Sequence, residues 1–225
     1  MKKYRVTEVF RSVQGEGPSV GRDAIFVRFQ GCNHDCPFCD EWHKTDWKEY
    51  SAEELVWLVQ NEIADGPKPD RIVFTGGEPM LQVDEHLCQH FLDFTSASLA
   101  IETNGSVNEC ETSKLLSRYF TDIVVSPKYA ESANPFTQAM NHATAVKVLV
   151  PLPNDIAMAT LVQLEKGIHE SVQLYLQPET PRGHIGESFK ANVDAARELQ
   201  LVLGMTSGRV RWRLLPQVHV WMELK

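Results

Sequence analysis

The chain has 225 residues, of which 43% are hydrophobic and 23% charged, with a formal net charge of −8. This length and composition suit one globular domain of the larger kind over 1–225, and the acidic balance argues against a general nucleic-acid or anionic-membrane surface. No apolar run is long enough to span a bilayer, and the opening MKKYRVTEVF lacks the apolar core of a signal peptide. A cytoplasmic protein acting on a small molecule is therefore expected.

In chain order, the first predicted strands are YRVTEVF (4–10) and AIFVRF (24–29), separated by the glycine-rich stretch SVQGEGPSVG. Ser51 followed by Glu54 reads as a capping box that opens a helix to about Asn61. Further strands are RIVF (71–74), SLAI (98–101), DIVV (122–125), AVKVLV (145–150), VQLYL (172–176) and VRWRLL (210–215). Helical periodicity fills 82–94, 112–119, 155–166 and 188–203. Alternating strands and helices imply parallel strands joined by right-handed crossovers, so an α/β barrel or an open part of one.

The chemically unusual residues fall at one end of these strands. GCNHDC follows AIFVRFQ, TGGEP follows RIVF, ETNG follows SLAI, SPK follows DIVV, QPET follows VQLYL, and PQVH follows the last strand. In an α/β barrel the loops after the strands converge on the active site. Six loops would then share one pocket, with the cysteines at its rim.

Cys32, Cys36 and Cys39 are three of five cysteines, packed at a C-x3-C-x2-C spacing too tight for a disulfide framework. A structural zinc site would need a fourth ligand, which His34 or His43 could supply. A catalytic thiol requires only one cysteine. An iron–sulfur cluster on three thiolates leaves one iron open to a ligand. Cys88 lies on an apolar helical face and reads as a small core residue, and Cys110 has no partner.

C-x3-C-x2-C with Phe38 before the last cysteine resembles the signature of the radical S-adenosylmethionine superfamily. TGGEP at 75–79 resembles that superfamily's GGE motif, which meets the methionine amino group. Gly76 and Gly77 would let backbone approach a ligand, and Glu78 would supply an anion. Glu102, Thr103 and Asn104, then Ser126, Pro127 and Lys128, would add partners for the cofactor. The superfamily implies a [4Fe-4S] cluster on Cys32, Cys36 and Cys39, with S-adenosylmethionine also meeting Pro37, Phe38, Asp40 and Gln177.

Two further residues speak for a particular substrate. Glu16, between two glycines, suits the N–H donor edge of an amino-pyrimidinone better than a phosphate. Arg28 interrupts an apolar strand, and reads either as an ion pair with a neighbouring strand or as a bidentate clamp on a substrate carboxylate.

QGEG, G-x3-IFVR, GCN-x2-C-x2-CD, TGGEP, ETNG, SPK, LQP and LPQVH together are similar to the 7-carboxy-7-deazaguanine synthase family, along nearly the whole chain. The resemblance implies a partial, modified α/β barrel and a lyase of queuosine and 7-deazapurine biosynthesis. The reaction would be ring contraction of 6-carboxy-5,6,7,8-tetrahydropterin to 7-carboxy-7-deazaguanine with loss of ammonia. The cofactor would carry the radical chemistry, with no catalytic side chain. Val13, Gln14, Gly15, Glu16, Arg28, Thr75, Gln217 and His219 would bind the pterin. Mg²⁺, a homodimer, and an electron donor such as flavodoxin or ferredoxin are implied as well.

The chain departs from the family at Glu41, where relatives carry a threonine or serine as Mg²⁺ ligand, and at Val220, often lysine. Glu41 with Asp40 is the metal site expected here. Two alternatives remain at this point. One is a radical enzyme that activates a glycine on a protein partner; the other is a zinc-stabilised binding module.

Overall fold

A computed structural model of the protein describes residues 2–36, 39, 46–64, 66–107, 110–128, 137–151, 156–180, 186–208 and 211–223. The strands are β1 (Tyr4–Val13), β2 (Asp23–Phe29), β3 (Lys48–Tyr50), β4 (Arg71–Gly76), β5 (Ser98–Thr103), β6 (Phe120–Val125), β7 (Ala145–Val150), β8 (Gln173–Pro178) and β9 (Trp212–Leu214). The helices are α1 (Ala52–Ala64), α2 (Glu85–Phe94), α3 (Cys110–Tyr119), α4 (Ile156–Gly167), α5 (Glu187–Ser207) and α6 (Val218–Trp221).

One nine-stranded sheet runs β3-β1-β2-β4-β5-β6-β7-β8-β9. From β2 through β9 every neighbouring pair is parallel, because a helical segment returns the chain between most of them. β1 is antiparallel to β2, since only the loop 14–22 joins them and no helix carries the chain back. Among the described residues β3 and β9 end the sheet without pairing to each other, so the barrel is partial and open, as expected.

β1 extends past the predicted Phe10 because Arg11, Ser12 and Val13 pair with Ile25, Ala24 and Asp23. β3 is an addition that the sequence does not announce. α2 begins at Glu85 because Asp84 caps it, its carboxylate accepting from Leu87 N at 2.9 Å.

Strand alternation divides the side chains between two faces. Ile25, Val27, Phe29, Ile72, Phe74, Leu99, Ile101, Val146 and Leu174 form one buried cluster with Leu55 and Val59 of α1, Phe91 of α2 and Leu164 of α4. Cys88 belongs to this core, where burial pushes its thiol pKa up. The opposite, concave face carries Phe26, Val73 and Ala100 in one small cluster and Val124, Ala145 and Tyr175 in another. Two residues further along their strands, on that same face, stand Arg28, Thr75, Glu102, Lys147 and Gln177. An apolar plug therefore lies beneath a polar tier at the carboxyl ends of the strands.

The capping box forms as read. Glu54 N donates to Ser51 Oγ at 3.2 Å, and Ser51 N donates to Glu54 Oε2 at 2.6 Å. Ser51→Ala should remove one of these bonds and cost about 1 kcal/mol of stability, measured by urea unfolding. An unchanged midpoint would show that the cap contributes nothing.

Candidate active site

Three loops meet where β2, β4 and β5 end. Gly76 has a φ of +120°, and a Cβ there would strike the backbone of Phe29. A Cβ on Gly77 would strike the Gly31 carbonyl. This close approach lets Gly77 N donate to Phe29 O at 2.9 Å and Glu78 N to Gly31 O at 2.7 Å. The TGGEP loop is thereby laid against the start of the cysteine loop.

Glu78 has no solvent exposure. Its Oε1 accepts from Met80 N at 2.9 Å and from Thr103 Oγ1 at 2.8 Å, and its Oε2 accepts from Asn104 N at 2.7 Å. Burial raises its carboxyl pKa, opposed by these donors and by Lys128. Asn104 in turn reaches Asn33 Oδ1 at 3.0 Å and the Cys32 sulfur at 3.8 Å. Ser126 N donates to Thr103 O at 2.8 Å, and Lys128 Nζ to Ser126 Oγ at 2.9 Å. Gly76, Gly77, Glu78, Thr103, Asn104, Ser126, Pro127 and Lys128 thus belong to one continuous loop assembly.

Cys32, Cys36 and Cys39 line one cavity of about 190 Å³, with Gly31 and Gly77 among its other walls. Among the described residues no three ligands are already drawn together closely enough to hold a single metal ion. Three thiols around one basin, an amide donor at Cys32 and a side-chain-free wall at Gly77 suit a sulfur-rich cluster. Burial pushes the Cys36 thiol pKa up, which Lys128 opposes. Pro37, Phe38, Asp40 and Glu41 lie outside the described residues, as does His43; Cys39 is described, with its N donating to Cys36 O at 3.0 Å.

The concave face holds a second assembly, built around loop 14–22. Gln14 N donates to Arg22 O at 2.8 Å and closes the neck of this loop. Glu16 is largely enclosed and ion-paired with Lys147; its Oε1 accepts from Gln177 Nε2 at 2.7 Å and Gln217 Nε2 at 2.9 Å. Burial alone would raise its carboxyl pKa, but Lys147, His219 and Gln217 outweigh that and hold it down at about 2. Gln14 Nε2 donates to Glu102 Oε1 and Thr75 Oγ1 to Glu102 Oε2, both at 2.8 Å. Gly15 has no room for a side chain because the His219 ring lies against it, and Val218 N donates to Gly15 O at 3.1 Å.

The structure thus gathers Gln14, Gly15, Glu16, Thr75, Gln217 and His219 in one lumen, with Val13 at the end of β1 leading into it. Glu102 and Gln177, expected beside the cofactor, are hydrogen-bonded on this side, to Gln14 and Thr75 and to Glu16 respectively. Arg28 lies in register with Thr75, donates to Glu8 Oε1 at 2.9 Å and stacks over Phe10. Glu8 and Lys147 are the residues that reading the sequence missed. Lys147 sits in AVKVLV as Arg28 sits in AIFVRF, a lone charge in an apolar strand, and that parallel was the available signal.

A model of the radical S-adenosylmethionine superfamily matches residues 26–145, which span the cysteine loop, the TGGEP loop and β2 to the start of β7. The match covers more than half of the chain, which belongs to that superfamily. The chain is 33% identical to the 7-carboxy-7-deazaguanine synthase of Hyperthermus butylicus, over 98% of this chain and 93% of the relative. It is 29% identical to that of Methanothermobacter thermautotrophicus, over 92% and 84%. The chain belongs to the 7-carboxy-7-deazaguanine synthase family. In fold it matches the crystal structure of QueE from Escherichia coli with a TM-score of 0.67, at 23% identity, over 96% of this chain and 95% of that one.

Glu78→Gln replaces one of two acceptor oxygens with a donor, leaving a buried N–H or hydroxyl without its partner. We expect a loss of about 2 kcal/mol in denaturant unfolding of the cluster-free protein. Wild-type stability would mean that the three loops hold together without this carboxylate.

Proposed function

We propose that this chain binds 6-carboxy-5,6,7,8-tetrahydropterin in the lumen around Glu16 and converts it to 7-carboxy-7-deazaguanine with loss of ammonia. The observation that carries the reading is the adjacency of two assemblies: a three-thiol cavity, and a largely enclosed carboxylate set among amides and paired with Lys147. Lys128 stands between them, its pKa lowered by burial and by Lys147 while both Cys36 and Glu16 oppose that change.

When bound, the [4Fe-4S] cluster and S-adenosylmethionine supply the radical that takes a hydrogen atom from the substrate. The chain's own residues bind, orient and exclude water. Cys32, Cys36 and Cys39 hold the cluster, and the Gly76–Glu78, Thr103–Asn104 and Ser126–Lys128 segments shape the S-adenosylmethionine pocket. Glu16, held by Gln177 and Gln217 at Oε1 and by Lys147 at Oε2, is the acceptor proposed for the donor edge of the pterin. Arg28, braced through Nε by Glu8, is the proposed partner of the substrate carboxylate. Gln14 and Thr75 are bridged by Glu102, and His219 packed on Gly15 closes the far side.

Glu41, with Asp40, is the proposed Mg²⁺ ligand, adding negative charge where relatives use a hydroxyl. The reading also takes 1–225 as a single catalytic domain, acting as a cytoplasmic homodimer with a flavodoxin- or ferredoxin-class donor. No helix among the described residues is long and apolar enough to cross a membrane.

Anaerobic incubation with S-adenosylmethionine, a reductant and the carboxypterin should yield 7-carboxy-7-deazaguanine by mass spectrometry. Alanine at Cys32, Cys36 or Cys39 should abolish iron and sulfide content, whereas Cys88→Ala should retain both. Arg28→Ala should abolish product while leaving reductive cleavage of S-adenosylmethionine intact. Arg28→Lys should recover little, because an ammonium lacks the planar fork. A protein holding zinc without sulfide, or Arg28→Ala turning over normally, would contradict this assignment.

A further inference from the structure

Lys147 is an expensive residue to place where it is. It is buried within β7, between Val146 and Val148 of the main core, and an ammonium there loses most of its hydration. Buried ion pairs are weak evidence for stability, so a pair retained at this depth calls for another reason. The partner is Glu16, 131 positions earlier in the chain.

The donors around Glu16 leave little freedom of assignment. Gln177 and Gln217 both turn their Nε2 atoms to Oε1, as an ionised, acceptor-only carboxylate demands, while Lys147 takes Oε2. The Gln177 Oε1 is consequently turned away from Glu16. It and Gln14 Oε1 are buried without hydrogen-bond partners among the described residues. Two orphan acceptors on side chains bonded to the Glu16 segment point to a ligand rich in N–H donors.

We propose that Lys147 is a positioning residue for substrate recognition, holding Glu16 ionised and locked to β7 so that its carboxylate meets the heterocycle as an acceptor. This rests on the proposed function above and deepens it. A protonated Glu16 would present one donor and clash with an N–H edge. Glu16 is faced by Lys147 from β7, Lys128 from the loop after β6 and His219 from α6, with Glu102 on β5 reached through Gln14. Lys147 is the member of this set that touches the carboxylate.

The sign follows from these neighbours. With Lys147 the Glu16 carboxyl pKa lies far below the ordinary range, so affinity for the carboxypterin should not track this group at working pH. In Lys147→Met burial dominates, the pKa rises above the ordinary value of about 4.3, and binding should weaken as pH falls.

Two measurements decide it. In ligand-free protein labelled at glutamate carboxyl carbons, the Glu16 resonance is assigned by its loss in Glu16→Gln. It should stay at its ionised position as wild type is titrated through about pH 4, and should titrate above that in Lys147→Met. By calorimetry, Lys147→Met should bind the carboxypterin about tenfold more weakly at about pH 6 than at about pH 9, relative to wild type, and Lys147→Arg should restore pH independence. A wild-type Glu16 that titrates near pH 4, or a Lys147→Met affinity unchanged or reduced equally at both pH values, overturns the proposal. If Lys147→Met does not fold, Lys147→Gln takes its place in both measurements, with the same outcomes deciding. Wild-type protein that binds no carboxypterin overturns the function, while the Glu16 resonance still decides the role of Lys147.

Discussion

The site depends first on one carboxylate that no solvent reaches. Glu78 accepts from its own loop at Met80 and from the next loop at Thr103 and Asn104, while its backbone N–H donates to the start of the cysteine loop. A buried carboxyl group of this kind is tolerable only when hydrogen-bonded, and here every donor comes from the loops it must align. The glycines before it have the same purpose in another form. Without side chains at 76 and 77, backbone can lie directly on backbone, and the thiols are brought to the face that the TGGEP loop presents.

The sheet contributes a second constraint. Because parallel strands cross the barrel in step, residues of one parity form a layered interior. Phe26, Val73, Ala100, Ala145 and Tyr175 fill the lower layer, and Arg28, Thr75, Glu102, Lys147 and Gln177 stand two residues above them. The apolar layer underlies the polar one. The polar layer then operates at low effective dielectric, where the Lys147 charge acts strongly on Glu16. Loop 14–22 enters this interior from the β1 side and supplies the groups that no strand carries.

Much of this was legible in the sequence, and what was missed has physical causes. The cysteine spacing and TGGEP are local patterns, because thiols on one cluster and a backbone cradle both require residues close along the chain. Strand positions were legible from apolar runs, but the reversed direction of β1 was not, since it depends on the absence of a crossover rather than on composition. β3 is three residues long and mostly exposed, which leaves no hydrophobic signal. Glu78 reads in sequence as a free anion, although its hydrogen bonds make it a joint between loops. Lys147 escaped notice because its meaning lies in Glu16, and Gln177 acquires its place only through a bond spanning 161 positions.

The hydrogen bonds of the two assemblies span very different lengths of chain. Glu78 and Asn104 are 26 positions apart, whereas Glu16 and Gln217 are 201 apart. Closing the longer loop costs about 2 kcal/mol more in chain entropy. A nascent chain that has emerged through Lys128 already contains every partner of Glu78, the Ser126–Lys128 segment and Cys32, Cys36 and Cys39. Glu16 must wait for β7, then β8, and finally for the segment that lays His219 on Gly15. The half of the molecule proposed to generate reactivity is thus complete in the chain well before the half proposed to select what it acts upon, and an error late in the chain would leave the first half without the second.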